Sequence, residues 1–322
     1  MTEEKALVIK AKGGLGNRML SAVTGLVLAR LQGRSPHIDW RDGMYVPAGT
    51  NLYPLLFDAA WMGDLAAFDN ATDVAPSIWS GRMTQHPTDV IHAEFPDAHQ
   101  DPLIYRRLSV DLAGPGPEHA VAVFWSYVSK VKRLERRMAR HPDFAGKSLD
   151  DVTRAMLARY FDPVPEVKQL VDAVLTRDGR PTIGVHIRFT DRKAPLEKMV
   201  NRLTRLREQK PNARLFLATD SMAAQEAVLM RFPDAIQIEK SLDTGGAALH
   251  VASGRFADPV AEARNALADM VALSRCDWLV HSSHSTFSVT AALMGGIPKS
   301  RQIDVDRFNP KVRLKQFVQA RI

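Results

Sequence analysis

The segment His186-Ile187-Arg188-Phe189-Thr190-Asp191-Arg192 places an imidazole, two guanidinium groups, a hydroxyl and a carboxylate directly behind the apolar run Pro181-Thr182-Ile183-Gly184-Val185. A buried strand that ends this way can offer those groups to an anionic substrate. Arginine is always charged and its planar fork matches two phosphate oxygens, while a neighbouring imidazole or carboxylate can move a proton. A solvated turn also collects polar residues, so the deciding question is whether other strands deliver chemistry to the same place. The run 214–219 leads into Asp220 and Ser221, and the run 276–280 leads into His281-Ser282-Ser283-His284-Ser285-Thr286. Open parallel sheets bind ligands outside the carboxyl ends of their strands. If these three strands share one sheet, their groups converge on one rim.

The HSSHST segment enters the apolar helix expected over 286–294, so its hydroxyls and N–H groups would lie at a helix N-terminus, which favours phosphate. A serine N-cap without a ligand is the plainer alternative. Gly13-Gly14-Leu15-Gly16-Asn17-Arg18 repeats the arrangement near the start of the chain; it lacks the Gly-Lys-Ser/Thr ending of a Walker loop and the full spacing of a dinucleotide fingerprint. Two phosphate-compatible loops facing each other across a cleft would suit a diphosphate nucleotide. His186, His281 and His284 match no zinc spacing, and no G-x-S-x-G elbow is present. A nucleotide-sugar site that neutralises the diphosphate with Arg188 and no metal fits better.

The elements that must position these groups alternate as in a parallel α/β protein. Strand 6–11, a glycine turn, helix 18–32 and strand 37–40 open the chain; residues 43–120 read as loops and short elements. A basic helical segment runs over 129–176, and Arg177-Asp178-Gly179-Arg180-Pro181 reads as a boundary. Beyond it come strand 182–188, helix 195–209, strand 214–219, helix 221–231, strand 235–239, helix 260–275, strand 276–280 and helix 286–294, closed by Gly295-Gly296. The expected organisation is two α/β Rossmann-like domains with a cleft between them. The first covers 1–176 on the acceptor side, the second 177–300 takes the nucleotide sugar, and a tail, 301–322, packs back on the first.

A length of 322 residues supports two such domains, and 45% hydrophobic with 25% charged residues describes a globular chain. No run approaches a membrane span and no signal peptide is evident, so a cytoplasmic location is expected. The lone Cys276 cannot form an internal disulfide, and its apolar surroundings make it a small core residue. A net charge of +7 suggests an anionic partner. The basic stretch 130–140 could touch nucleic acid, yet Val131, Leu134 and Met138 at helical spacing make it a solvated helix face with an apolar stripe, and no nucleic-acid module accompanies it.

HIRFTDR, LFLATDS, LADMVALSRCDWLV and HSSHST, in that order, resemble the α1,6-fucosyltransferases, the family of the rhizobial nodulation enzyme NodZ and the animal core fucosyltransferases. The resemblance covers roughly residues 181 to 296. GGLGNRM also resembles the glycine loop of bacterial α1,2-fucosyltransferases, over about residues 6 to 40. What this implies is a GT-B type transferase that inverts, needs no metal and uses GDP-fucose. It implies that Arg188 holds the β-phosphate, that His186 and Asp269 hydrogen-bond the guanine, and that Ser283, Ser285 and Thr286 take the diphosphate with Gly13, Gly14 and Gly16 closing over it. Asp191, Arg192 and Asp220 match positions near the sugar, with Arg192 standing where the animal enzymes carry lysine and Ser221 where they carry a second acid. Asp191 and Glu197, the carboxylates nearest Arg188 in sequence, are the candidate catalytic bases. The expected acceptor is a GlcNAc-containing, chitooligosaccharide-like glycan chosen by the intervening region. The alternatives are a degenerate nucleotide or glycan binder of the same fold and a transferase of another GDP-sugar.

Overall fold

The computed structural model describes residues 5–97, 104–175, 178–189, 195–242 and 256–321. The chain divides into two units, Met1–Gly13 with Asn17–Asp162 and Lys315–Ile322, and Gly14–Gly16 with Pro163–Leu314.

The first unit is built on a four-stranded, wholly parallel sheet in the order β2-β1-β4-β3. Its strands are β1 (Ala6–Lys10), β2 (Ser35–Asp39), β3 (Val74–Ala75) and β4 (Val121–Trp125). β1 and β4 are buried along their whole length, which is why ALVIK and VAVFW read as continuous apolar runs without alternation. β2 lies at the sheet edge, where Pro36, having no N–H to give a ladder, is tolerated. Helix α1 (Leu15–Gln32) joins β1 to β2 and is followed by Gly33 at φ 62, a left-handed helix end. Residues 43–120 hold the short helices α2 (Leu52–Leu56) and α3 (Pro87–Glu94) among turns, as expected. β3 and β4 were not among the expected strands. β3 is two residues long, too short to show a period, and β4 follows a long stretch with none.

The basic segment folds as a 3-10 turn (Val131–Leu134), α4 (Glu135–Met138), α5 (Leu149–Tyr160) and α6 (Pro165–Val174). Val131, Leu134 and Met138 are buried while Lys132, Arg136 and Arg140 are exposed, so the apolar stripe belongs to the core and the charges to solvent.

The second unit repeats the plan with the sheet β6-β5-β7-β8, again all parallel. It contains β5 (Thr182–Ile187), α7 (Leu196–Gln209), β6 (Arg214–Thr219) and α8 (Met222–Arg231). α9 (Pro259–Ser274), β7 (Trp278–His281), α10 (Thr286–Met294) and β8 (Gln302–Asp304) follow, and α11 (Pro310–Arg321) ends the chain. Ile183, Val185, Leu215, Leu217 and Val280 of the strands form a core with Met199, Leu203 and Leu206, spaced on one face of α7. The strand expected over 235–239 is not formed. Only Ile236 pairs, with Phe216, through its N–H to Leu215 and its carbonyl to Leu217, so an alternating pattern at the sheet edge yields one bridge. Cys276 lies in the turn before β7, a small core residue as expected. Its thiol is buried so tightly that a Cβ on Gly184 would stand 2.9 Å from the sulfur, and burial pushes its pKa up. Residues beyond 300 contribute β8 to this sheet, whereas Lys315–Ile322 group with the first unit. Among the described residues no helix is long and apolar enough to cross a membrane.

Candidate functional site

β5, β6 and β7 are neighbours in one parallel sheet, so the three polar strand ends do share a rim. Strand order reverses between β5 and β7, since the chain passes from β5 to β6 on one side and then to β7 on the other. That is the switch point where open α/β sheets form their ligand crevice.

His186, near the end of β5, is buried and stacked on Phe287 with ring centroids 4.9 Å apart and planes 20° from parallel. Burial, reinforced by the charge of Arg188, pushes its pKa down to about 3, so the imidazole is neutral at pH 7 and can both donate and accept one hydrogen bond. Arg188 follows, half-buried. The backbone around it is pinned from β6: Thr219 Oγ1 donates to the Ile187 carbonyl (2.8 Å), and the Phe189 N–H donates to Asp220 Oδ1 (2.7 Å). Asp220 thus positions the segment that carries Arg188. Asp191 and Arg192 lie outside the described residues. Glu197 sits exposed in the first turn of α7.

The HSSHST loop is held from beneath by two acids that sequence reasoning missed. The Ser283 N–H donates to Asp304 Oδ1 (2.9 Å) and the Ser282 hydroxyl to Asp306. His281 Nδ1 pairs with Ser288 Oγ at 3.1 Å, and burial lowers its pKa to about 4. The Ser285 N–H is taken by the Ser282 carbonyl (3.0 Å). Ser285 is the N-cap of α10, yet its side chain does not cap the helix, and its buried hydroxyl has no partner among the described residues. A buried hydroxyl left open beside the first-turn N–H groups is a place for a phosphate oxygen. The signal for Asp304 and Asp306 was their spacing in Gln302-Ile303-Asp304-Val305-Asp306, but β8 is too short to advertise itself.

Asp269, on α9, is 2% exposed, and burial raises its pKa. Lys240 pairs with its Oδ2, while Oδ1 has no partner among the described residues. Lys240 was not singled out from the sequence, although it stands at the end of the segment read as strand 235–239. A cavity of 390 Å³ lies alongside, lined by Leu217, Thr219, Gln225, Gln237, Ile238 and Lys240 among others. Lys240, Arg188 and His281 are all close enough to depress the His186 pKa, which places the four in one electrostatic neighbourhood. Among the described residues no group of three or more His, Cys, Asp or Glu side chains is placed to hold a metal ion.

The glycine turn near the start of the chain is shaped by close approach. Gly13 has φ 81, and its carbonyl accepts from Arg18 Nε (2.7 Å). Arg18 is 0% exposed and its Nη2 pairs with Asp42 at 2.6 Å, so this guanidinium braces the turn internally. Gly14 and Gly16 group with the second unit, in which a Cβ on Gly16 would meet the Thr286 backbone at 2.5 Å.

The two depressed imidazoles give a pH dependence with a definite sign. Their folded pKa values, about 3 and about 4, lie below the ordinary 6.5, so the unfolded chain binds more protons between those values. The stability they contribute is complete above about pH 6.5 and is lost as pH falls through that window, by up to ~1.4 kcal/mol per pH unit for each group. Asp269, with a raised pKa, acts with the opposite sign and offsets part of the loss. Urea unfolding of the wild type should show lower stability at pH 5 than at pH 7, with a smaller drop in His186→Asn. Equal pH slopes in the two proteins would contradict the buried neutral imidazole.

Two parallel α/β units in series, the second with a phosphate-compatible rim at its switch point, are the architecture of the GT-B glycosyltransferases. Among solved structures the chain is similar to NodZ α-1,6-fucosyltransferase soaked with GDP-fucose, with a TM-score of 0.61 and 21% identity over 90% of this chain and 93% of that one. Residues 148–319, more than half of the chain, match the family model of nodulation protein Z (NodZ), and the chain belongs to that family. Nodulation protein Z of Azorhizobium caulinodans is 24% identical, covering 91% of this chain and 90% of its own. That of Bradyrhizobium diazoefficiens is 23% identical, covering 87% and 76%.

Proposed function

We propose that this NodZ-family chain is a fucosyltransferase that moves L-fucose from GDP-fucose to an oligosaccharide containing GlcNAc, with inversion and without a metal. The observation that carries the reading is a pair of buried, unsatisfied groups in the unit whose switch point carries Arg188: the Ser285 hydroxyl at the N-cap of α10 and Asp269 Oδ1 on α9. Guanine presents two adjacent N–H donors on its Watson–Crick edge, which a carboxylate oxygen accepts. His186, neutral and held flat by Phe287, supplies a further hydrogen bond to the base. Arg188 and the N-terminus of α10 stabilise the charge that grows on the leaving diphosphate, which is what a metal would otherwise provide. Gly14 and Gly16, in the same unit as α10, let backbone approach the diphosphate, and Ser283 and Thr286 frame Ser285 in its loop. Contacts to the sugar are the role this reading assigns to Arg192 and Asp220. Inversion requires a base for the acceptor hydroxyl, a role we assign to Asp191 or Glu197. A cytoplasmic location belongs to the same reading, supported by a single reduced, buried Cys276.

Calorimetric titration with GDP and then GDP-fucose in buffer containing a chelator tests the donor site; transfer to chitotetraose tests the chemistry. Micromolar GDP binding that survives chelation, with transfer abolished in either Asp191→Asn or Glu197→Gln, is the expected result. GDP binding without transfer to any glycan would favour a degenerate binder of the same fold, and the absence of GDP binding would overturn the donor assignment.

A further inference from the structure

We infer that the first unit carries a binding site of its own for a carboxylate-bearing sugar residue, in the cavity at the carboxyl end of β4. Taking a sugar as the occupant rests on the reading above, that the protein modifies glycans.

The cavity measures 410 Å³. In the first sheet the strand order reverses between β1 and β4, and the cavity takes its lining from the end of β4 and the segment that follows it, together with residues 105–112. Its walls include Tyr105, Trp125 and Tyr127, and its charged groups include Arg106, Lys130 and Arg133. Tyr105 and Trp125 meet edge to face at 5.2 Å and 72°. Tyr105 and Tyr127, both half-buried, offer the apolar ring surface that can cover the C–H face of a pyranose.

Two features ask for a polar, anionic ligand. Trp125 is 2% exposed, and its indole N–H, which can only donate, has no partner among the described residues. Lys130 is held in place by its backbone N–H to Thr24 Oγ1 (2.9 Å) while its side chain faces Arg133 and Arg106. Burial first, and those two like charges second, lower its pKa to about 8. Outside the lining, Lys12 Nζ stands 5.6 Å over the Tyr105 ring. Asp111 also lines the cavity. The Asp111 charge already acts on Arg133, but it is one carboxylate against Arg106, Lys130 and Arg133 in the lining; a second carboxylate entering here offsets the remaining repulsion and accepts from the Trp125 indole N–H. Nucleic acid is the poorer fit: the apolar stripe of the basic segment is committed to the core.

The test compares two tetrasaccharides by calorimetry: a hyaluronan tetrasaccharide, which alternates glucuronate with GlcNAc, and neutral chitotetraose. Wild type, Lys130→Gln, Arg133→Gln and Trp125→Phe are titrated with each glycan and, separately, with GDP; melting curves confirm that the variants fold. The acidic glycan should bind at least about tenfold more tightly than the neutral one, and each charge removal should weaken it about tenfold. Its affinity should fall with added salt, and GDP affinity should not change. Equal affinity for the two glycans, or variants that bind as wild type, would overturn the site. No glycan binding with GDP binding intact would overturn it alone; loss of both in the wild type would take down the transferase reading beneath it as well.

Discussion

Replacing Arg188 with alanine should lower transfer from GDP-fucose by about 10²–10³-fold, the loss typical when one preorganised group facing developing charge is removed from an active site. The residue is half-buried behind β5, on backbone that Thr219 and Asp220 pin by hydrogen bonds of 2.8 and 2.7 Å. In the proposed donor site, truncating the side chain removes the guanidinium that faces the diphosphate, and Lys240, paired with Asp269, does not replace it. GDP affinity should fall with turnover, because the ground-state diphosphate is also charged. Arg188→Lys keeps the charge and loses the planar fork, so it should fall between wild type and alanine. Steady-state kinetics with GDP-fucose beside GDP titration separates the two effects. An alanine variant with wild-type GDP affinity and turnover would remove Arg188 from the donor site.

The second large effect is on stability. Gly295 and Gly296 follow α10, and the sequence reads them together as a helix stop. They differ in what they must satisfy. Gly296 has φ 60, the left-handed conformation, and alanine there should cost about 1–2 kcal/mol. Gly295 has an ordinary helical backbone, φ −81, but a Cβ on it would lie 1.8 Å from the Ser274 carbonyl oxygen at the end of α9. Backbone cannot yield as a flexible side chain does, so α10 must move away from α9, and Gly295→Ala should cost about 3–5 kcal/mol, in the exceptional range for a single substitution. Because Ser285 is the N-cap residue of α10, displacement of the helix should weaken GDP binding as well. Urea midpoints of the two variants make the comparison, and equal losses would refute the close-approach account.

Both effects show how much of the site was legible beforehand. HIRFTDR behind a buried strand, LFLATDS and HSSHST announced three strand ends carrying chemistry, because buried parallel strands are short apolar runs and their polar followers stand out. His186, Arg188 and Ser285 were singled out that way, and Asp269, which lies inside a helix, only through the family resemblance. Phe287 and Lys240 were not. An aromatic residue in an apolar helix and a lysine after an irregular stretch carry no periodic signal, and their roles arise from contact with His186 and with Asp269. Asp220 was legible as a residue of the rim, yet its hydrogen bond to the Phe189 N–H makes it a brace for Arg188. Arg18 shows the same gap: sequence places it just behind the glycine turn, and only the structure shows its guanidinium fully buried against Asp42.

Local sequence by itself determined, to within a residue or two, where β5, α7, β6, α8, α9, β7 and α10 fall in the second unit, which strand ends are polar, and that both halves follow the parallel α/β plan. Those properties depend on side-chain periodicity and turn chemistry over a few neighbours. Tertiary structure alone decided the order β6-β5-β7-β8 that creates the switch point, the central place of β4, the pairing of the three-residue β8, and which polar atoms are left buried and open. Those properties depend on pairings between residues far apart in the chain, where the cost of burying an unsatisfied group is set by everything packed around it.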